Sequence, residues 1–453
     1  MAVKEIHESA FQSQRWFAGK RRAFRAAVET DVFLDGRVVL ADVAYADGGE
    51  ERYLLLDPRD GSAGPPAAPL WGALLAALAQ GPVQGAVGAL TLRAGPAFRW
   101  LAPDLGREST PSVDQSNTLV ALDDRLLVKA YRRLHAGPHP EVELCAALAT
   151  TDAPVPAYAG AIWHVAPDGT ETAVALLQEL VVGAESGWEA PILRAVDWLV
   201  APSSSPDPAV EYGAAGRAAA ALHAALAHAF PGSVAVEETG PAWEADALAL
   251  LDAAVRVEPY AAGVAGTVRE RLAALRDAAG LPLTRNHGDL HVAQLLRTPD
   301  QLLVVDFEGD PTRPLADRRR PDTPLRDLAC LLRSVDHVGH AAARRCGLDP
   351  EPWVVRATSA VLDGYAADAG SSAAAPPSAP SAARDPSAAA PPSASAREPS
   401  AAPPPALLHA LELAKECQEL VYAASVVPEW SYAPRAGLRR LIANPPTPSE
   451  TRQ

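Results

Sequence analysis

The sequence predicts an α+β fold in which a strand-rich first part is followed by a mostly helical second part. Three observations carry this. Apolar runs at 27–34, 38–45 and 52–56 are punctuated by Asp35-Gly36 and Asp47-Gly-Gly49, and Asp-Gly between apolar strands is a strong hairpin signal. From residue 213 onward apolar residues recur at helical spacing, as at Leu222 and Leu226 within 213–230. Among the helices sits one short acid-bearing hairpin. It reads Asn286-His-Gly-Asp289-Leu-His-Val-Ala-Gln294, then Leu302-Leu-Val-Val-Asp306-Phe-Glu308-Gly-Asp310-Pro311, with a turn at Thr298-Pro299-Asp300.

The 453 residues suffice for two or three packed units. Net charge is −15, with 55 acidic residues against 40 Lys and Arg, which argues against nucleic-acid partners, whose binding rests on basic patches. No stretch approaches the roughly 18–20 apolar residues of a membrane span, and residues 1–6 lack the apolar run of a signal peptide. Four cysteines (Cys145, Cys330, Cys346 and Cys417) are scattered without CxxC spacing, as expected of reduced thiols. A cytoplasmic monomer with no membrane association is the expectation.

Taken in order, Gln14-Arg-Trp16-Phe17-Ala-Gly-Lys20 sets an aromatic pair among cations, expected to tuck Trp16 and Phe17 under a small domain. After the three strands Pro65-Pro66 breaks the pattern, and a helix at 70–78 covers one face, so residues 1–90 form an α+β module. Strands at 88–92 and 97–101 lead into Asp114-Gln-Ser116-Asn117-Thr118-Leu-Val120, a small polar turn able to offer backbone N–H groups to phosphates. Asp123-Asp124 then turns into a strand at 125–131 that carries Lys129. Pro140 opens a helix bearing Glu141 and Glu143, and an acid there would hold Lys129 in an ion pair that positions nucleotide phosphates; Glu143 is the choice. A strand at 172–177 runs into Gln178-Glu179-Leu180-Val181, whose backbone would hydrogen-bond adenine. Residues 91–182 are thus read as an intermediate subdomain with an N-lobe, and 183–453 as a mostly helical lobe.

In that lobe His223 is expected to pack, and helices at 243–257 and 267–280 lead to the hairpin. Beyond it, Arg318-Arg-Arg320 is expected to pack on or neutralise the acid cluster, and Arg326-Asp327 to brace the catalytic loop. Residues 367–405 are Ala/Pro/Ser-rich and expected to be a disordered insertion, because such a composition buries too little apolar side chain to order itself. A helix follows at 407–424, where Glu412, Glu416 and Glu419 recur at i, i+4 and i+7 and share a face, with Trp430 just beyond.

Carboxylates at the mouth of an apolar strand pair are costly unless a cation or substrate compensates them. Protein-kinase-like enzymes place their groups in this order: a catalytic-loop Asp that accepts the hydroxyl proton, an amide a few residues on and an Asp after the next strand, both on metal. Asp289, Gln294 and Asp306 stand in those places. Phosphoryl transfer from ATP with Mg²⁺ is therefore the first reading. A hydrolase with His287, Asp289 and His291 on a transition metal is a second, although Gly288 spoils helical i, i+4 geometry. A catalytically dead scaffold is a third.

The same residues resemble the aminoglycoside-phosphotransferase-like sugar kinases, specifically the maltokinase group and its actinobacterial glucosamine kinase relatives. The likeness runs from Gln14-Arg-Trp-Phe-Ala-Gly-Lys20 through Gln115-Ser-Asn-Thr118, Lys129-Ala-Tyr-Arg-Arg133 and Pro140-Glu-Val-Glu143. It continues at Gln178-Glu-Leu180, His287-Gly-Asp-Leu-His291, Asp306-Phe-Glu-Gly-Asp-Pro311 and Asp327. It implies a bilobal kinase-like fold with an N-terminal cap, binding ATP, Mg²⁺ and a sugar. Asp289 would be the base, Gln294 and Asp306 metal ligands and Glu308 a third. Glu416-Cys-Gln-Glu-Leu-Val-Tyr422 and Val427-Pro-Glu-Trp430 look closer to the glucosamine kinases than to maltokinases. An amino sugar is favoured over maltose, with Glu412, Glu416 and Trp430 as substrate contacts.

If the Ala/Pro/Ser-rich segment packs on nothing, deleting residues 370–404 leaves the melting temperature and ATP turnover nearly unchanged. A large drop in melting temperature would show that it is part of the fold.

Overall fold

The computed structural model describes residues 6, 8–12, 14, 16–58, 69–102, 105–110, 117–231, 239–276, 278, 281, 283–372 and 404–445. The chain divides into two compact units. One comprises Met1–Thr151, Val155–Ala184 and Asp306–Arg319; the other comprises Asp152–Pro154, Glu185–Val305 and Arg320–Gln453.

The first unit contains two antiparallel sheets. Its strands open with β1 (Phe24–Phe33), β2 (Val38–Tyr45), β3 (Glu50–Leu56), β4 (Val83–Gln84) and β5 (Ala89–Ala94). They continue with β6 (Glu108–Ser109), β7 (Thr118–Leu122), β8 (Leu126–Ala130), β9 (Arg133–Leu134), β10 (Tyr158–Val165) and β11 (Glu171–Glu179). The sheet orders are β1-β2-β3-β9 and β4-β5-β10-β11-β8-β7-β6. Helices α1 (Ser9–Gln12), α2 (Trp71–Gln80), α3 (Phe98–Leu101) and α4 (Pro140–Leu148) complete this part. The β7–β8 turn is made by Asp123 and Asp124, both left-handed at φ 49° and 52°, a conformation short polar Asp tolerates and tight hairpins require. Phe11, Phe17, Tyr45 and Tyr53 are fully buried on one face of the smaller sheet, so the aromatic pair does tuck beneath it.

One expected strand is a helix. In α3, Ala97 and Leu101, four residues apart, are the buried positions, as on one face of a helical turn. Residues 97–101, Ala-Phe-Arg-Trp-Leu, are too short an apolar run for the two periods to be told apart.

The second unit is mostly helical: α5 (Glu189–Val200), α6 (Pro208–Ala229), α7 (Thr239–Val257) and α8 (Pro259–Leu272) precede the hairpin β12 (Leu295–Arg297) and β13 (Leu302–Val304). Proline sits in the first turn of α6 and α8, where no N–H is missed, and the Asp207 and Glu258 side chains cap the starts by accepting from Ala209 and Tyr260 N–H. The hairpin pairs Leu295 with Val304, as its apolar runs predict. The one-turn α9 (Leu315–Arg318) belongs to the first unit. Then come α10 (Leu325–Cys346), α11 (Glu351–Ser372), α12 (Pro405–Val426) and α13 (Tyr432–Ala443). Helices α6 and α11 approach closely because Gly216 has no side chain: a Cβ there would lie 2.1 Å from the Val361 carbonyl oxygen. Helix α11 runs to Ser372, so the start of the stretch expected to be disordered is helical; residues 373–403 of it lie outside the described residues. Among the described residues no helix is long and apolar enough to cross a membrane.

Candidate active site

In the first unit the functional groups gather around one lysine. Lys129 lies on β8, hydrogen-bonded between β7 and β11, where it faces Leu119 and Leu176 in register. Its side chain is buried, and its Nζ reaches Glu141 Oε1 at 2.9 Å, Asp306 Oδ1 at 2.6 Å and Glu308 Oε1 at 2.7 Å. Tyr131 OH donates to the other Glu141 oxygen at 2.7 Å, and Asn117 Nδ2 donates to Glu308. Burial opposes the Lys129 charge, but Asp306, Glu141 and Glu308 outweigh it and raise its pKa well above the usual lysine range. Burial in turn pushes the Glu141 carboxyl up, with Glu308 and Asp306 adding to it and Lys129 resisting. Oxygens of Glu141, Asp306 and Glu308 lie within 4.8 Å of one another, a hard oxygen donor set of the kind Mg²⁺ takes. Asp306 itself is left-handed at φ 69°, a strained backbone for a non-glycine residue and one that clusters at functional sites.

The partner of Lys129 is therefore Glu141, not Glu143 as the sequence reading had it. Glu143 takes a bidentate pair from Arg319 Nε and Nη2 at 2.7 and 2.8 Å. The reason is helical geometry. Glu141 heads the buried stripe Glu141, Leu144, Cys145 and Leu148, whereas Glu143, two residues on, points about 200° away. Of the nucleotide-binding candidates, Ser116 lies outside the described residues. The Thr118 hydroxyl accepts from the buried Arg132 Nε at 2.7 Å, and Thr118 pairs with Ala130 of β8 in the sheet. The Glu179 side chain accepts from Ala157 N–H, and Val181 lies in the turn that follows β11. Of the arginine run, Arg319 meets an acid, Glu143, while Arg318 donates to the backbone carbonyls of Arg313, Pro311 and, at 3.4 Å, Glu308.

In the second unit the loop 286–294 is held by its neighbours. Asp327, on the first turn of α10 and buried, accepts from His287 N–H at 2.8 Å and Gly288 N–H at 2.9 Å, and His223 meets its Oδ2 at 3.2 Å. His223 is thus a brace, while Arg326, expected to share the role, pairs with Asp322. His287 Nε2 lies 2.9 Å from the Val305 carbonyl oxygen and its Nδ1 receives the Asp289 N–H at 3.3 Å, which puts the ring proton on Nε2. Both ring nitrogens being engaged, the transition-metal reading of His287, Asp289 and His291 fails. Among the described residues, the one cluster of three potential ligands is Glu141, Asp306 and Glu308.

Asp289 follows. Lys415 Nζ lies 3.3 Å from its Oδ1, His291 Nε2 3.8 Å from its Oδ2 and Cys330 Sγ 3.8 Å from its Oδ1. Burial would raise its pKa, but Lys415, then His291 and His287, bring it down to about 2. Gln294 closes the loop, its N–H donating to the His291 carbonyl and its own carbonyl accepting from Val305. Trp188 stacks on His291 at 5.3 Å between ring centroids and meets Trp430 edge-on at 5.9 Å, so Trp430 joins an aromatic wall beside the loop.

Glu412 and Glu416, expected to face a substrate, are interior groups. Arg333 Nη2 binds Glu412 at 2.7 Å, and Glu416 takes His337 at 3.0 Å and Arg333 at 3.5 Å. Glu416 has no exposed surface. Helix α12 packs against α7, α10 and α13, so most of its circumference is inside. Sequence reasoning missed Lys415, whose Nζ also holds Glu419 at 2.8 Å; its i, i+4 spacing from Glu419 was the available signal.

A buried lysine held by a helix-borne glutamate, a left-handed Asp after a short hairpin and an Asp-bearing loop braced from below are the parts of a phosphotransferase. The model of the phosphotransferase enzyme family matches residues 108–349, and the chain belongs to that family. It is similar to a glucosamine kinase of Mycolicibacterium smegmatis, 29% identical over 387 residues, 82% of this chain and 87% of that one. It is also similar to a glucosamine kinase of Streptacidiphilus jiangxiensis, 29% identical and covering 76% of each. Among solved structures, a glucosamine kinase (crystal form B) superposes with a TM-score of 0.71 at 24% identity, covering 97% of this chain and 98% of that one. A glucosamine kinase in complex with glucosamine, ADP and inorganic phosphate gives 0.66 at 24% identity, covering 92% and 93%. Both likenesses show the fold.

Asp327→Ala leaves two buried backbone N–H groups without an acceptor and is expected to cost about 2–5 kcal/mol in urea unfolding at neutral pH. His223 and the two N–H groups hold the Asp327 carboxyl below the usual range against burial. Its contribution is therefore complete above the ordinary carboxylate pKa and lost as pH falls through the lowered one, so the gap to wild type should narrow in acid. A constant gap across pH would contradict this.

Proposed function

We propose that this chain is a glucosamine kinase, transferring the γ-phosphoryl group of ATP to the 6-hydroxyl of glucosamine. The observation that carries the reading is the buried Lys129 bound at once to Glu141 and Asp306, in a chain whose similarity to glucosamine kinases spans most of its length. Lys129, fixed by Glu141, would bind the nucleotide phosphates, with the backbone of Asn117 and Thr118 beside it and that of Glu179 and Val181 on the adenine. Asp306 and Glu308 would hold Mg²⁺. There the ion would supply positive charge against that of the phosphates.

Asp289 would orient the acceptor hydroxyl and take its proton. A carboxylate held near pKa 2 is a weak base, but the loose transition state of phosphoryl transfer asks for little proton removal before the P–O bond to the leaving group has broken. Positioning is its larger contribution. For the sugar, Trp188 and Trp430 supply an apolar wall. The acid of α12 on the Asp289 side is Glu419, reached through Lys415, and a carboxylate there favours a substrate ammonium.

ADP release measured across glucosamine, glucose, N-acetylglucosamine, maltose and an aminoglycoside tests this. Glucosamine should give the highest kcat/KM, acetylation of its amine should abolish the preference, and Asp289→Ala should lose about 10²–10⁴-fold with an unchanged circular dichroism spectrum. Maltose as the best substrate would overturn the amino-sugar reading, and wild-type rates in Asp289→Ala would remove Asp289 from its role.

A further inference from the structure

We propose that Lys415 is a positioning residue for this reaction: from α12 it fixes the Asp289 carboxylate in its ionised form and in one orientation. The inference rests on the glucosamine kinase reading. The groups that face Asp289 are Cys330 on α10, His287 and His291 on its own loop, and Lys415, Glu419 and Tyr422 on α12. Lys415 is the one lysine or arginine among them. His287 is spoken for through both ring nitrogens, and burial lowers the pKa of His291, whose ring stacks on Trp188. The Cys330 thiol is pushed up by burial and stays protonated. Lys415 is buried between two acids, 3.3 Å from Asp289 Oδ1 and 2.8 Å from Glu419 Oε1, and they hold its charge against burial.

The lysine is itself immobilised from behind. Glu412 and Glu416, three residues before it and one after, are locked by Arg333 and His337 on α10. Asp336 completes the buried network through Arg333 at 3.0 Å. At Gly437 on α13 a Cβ would lie 2.1 Å from Glu416 Oε1, so α13 closes directly on that network. Rotation or sliding of α12 would separate these buried charges, which is strongly unfavourable. The interior acids of α12 thus set the azimuth of the helix, and the azimuth aims Lys415 at the catalytic loop.

A double-mutant cycle with Lys415→Met and Asp289→Asn, read in kcat and KM for glucosamine and in urea unfolding, tests this. Lys415→Met should lower kcat about 10–100-fold with KM little changed, and should create an acid limb near about pH 5–6, because burial without a cation raises a carboxyl. Lys415→Arg should restore most of both. In the Asp289→Asn background the lysine substitution should cost less than about twofold, since its effect passes through the aspartate. Additive losses in kcat, or a Lys415→Met pH profile superposable on wild type, would overturn the proposal. The unfolding cycle needs no turnover, so it stands even if glucosamine proves not to be the substrate: non-additive unfolding energies support the coupling and additive ones refute it. Should Lys415→Met fail to fold, Glu419→Gln provides the second arm. It keeps the cation and should leave the acid limb absent, and a limb near that of an unpaired carboxylate would again refute the role.

Discussion

The burial of one ammonium group among three carboxylates governs the first unit. Taking an isolated charge out of water costs several kcal/mol, so Lys129 can sit beneath the β7–β8–β11 surface only with its acids in place. That requirement fixes the start of α4, which must present Glu141, and the course of the chain after the hairpin, which must bring Asp306 and Glu308 within about 3 Å of the same nitrogen. The left-handed Asp306 is the local cost of that course. It is tolerated because ion pairs on the same residue outweigh a strain of about 1–3 kcal/mol.

The second unit solves a parallel problem with the signs reversed. Asp289 is an anion in a loop, and its compensation comes from a lysine on a helix more than a hundred residues later in the chain. The Asn286 and His287 side chains tie the loop to the Thr323 and Val305 carbonyls, and Asp327 holds its backbone from α10. One peptide bond, Val305–Asp306, joins the two units at this point, and the Val305 carbonyl is the group that sets the His287 tautomer.

How much of this could be read from sequence depended on the range of the signal. Asp-Gly turns between apolar runs located β1–β3, and the Thr298-Pro299-Asp300 turn between two apolar runs located β12 and β13, because those signals are local. That Lys129 pairs with an acid of α4 was legible because a strand lysine ahead of an acid-bearing helix has its partner close by in sequence. The Lys129 partner was missed although the pattern was present: Glu141, Leu144, Cys145 and Leu148 make an i, i+3, i+4, i+7 stripe that excludes Glu143. Glu412 and Glu416 misled for the opposite reason. An acidic stripe on a helix normally faces solvent, and nothing local to 405–426 says that Arg333 and His337 wait on another helix. The spacing of Lys415 from Glu419 was legible, but its contact with Asp289 was not, because that acid lies in a distant loop.

The reaction proposed for this chain is transfer from ATP to the sugar's 6-hydroxyl. Phosphorus NMR of a reaction of the purified protein with glucosamine, ATP and Mg²⁺ tests it most directly. A single phosphomonoester coupled to the two protons of the sugar C6, appearing in step with ADP and without free phosphate, is the predicted result. Phosphate at the anomeric oxygen, or ADP accompanied only by inorganic phosphate, would contradict it.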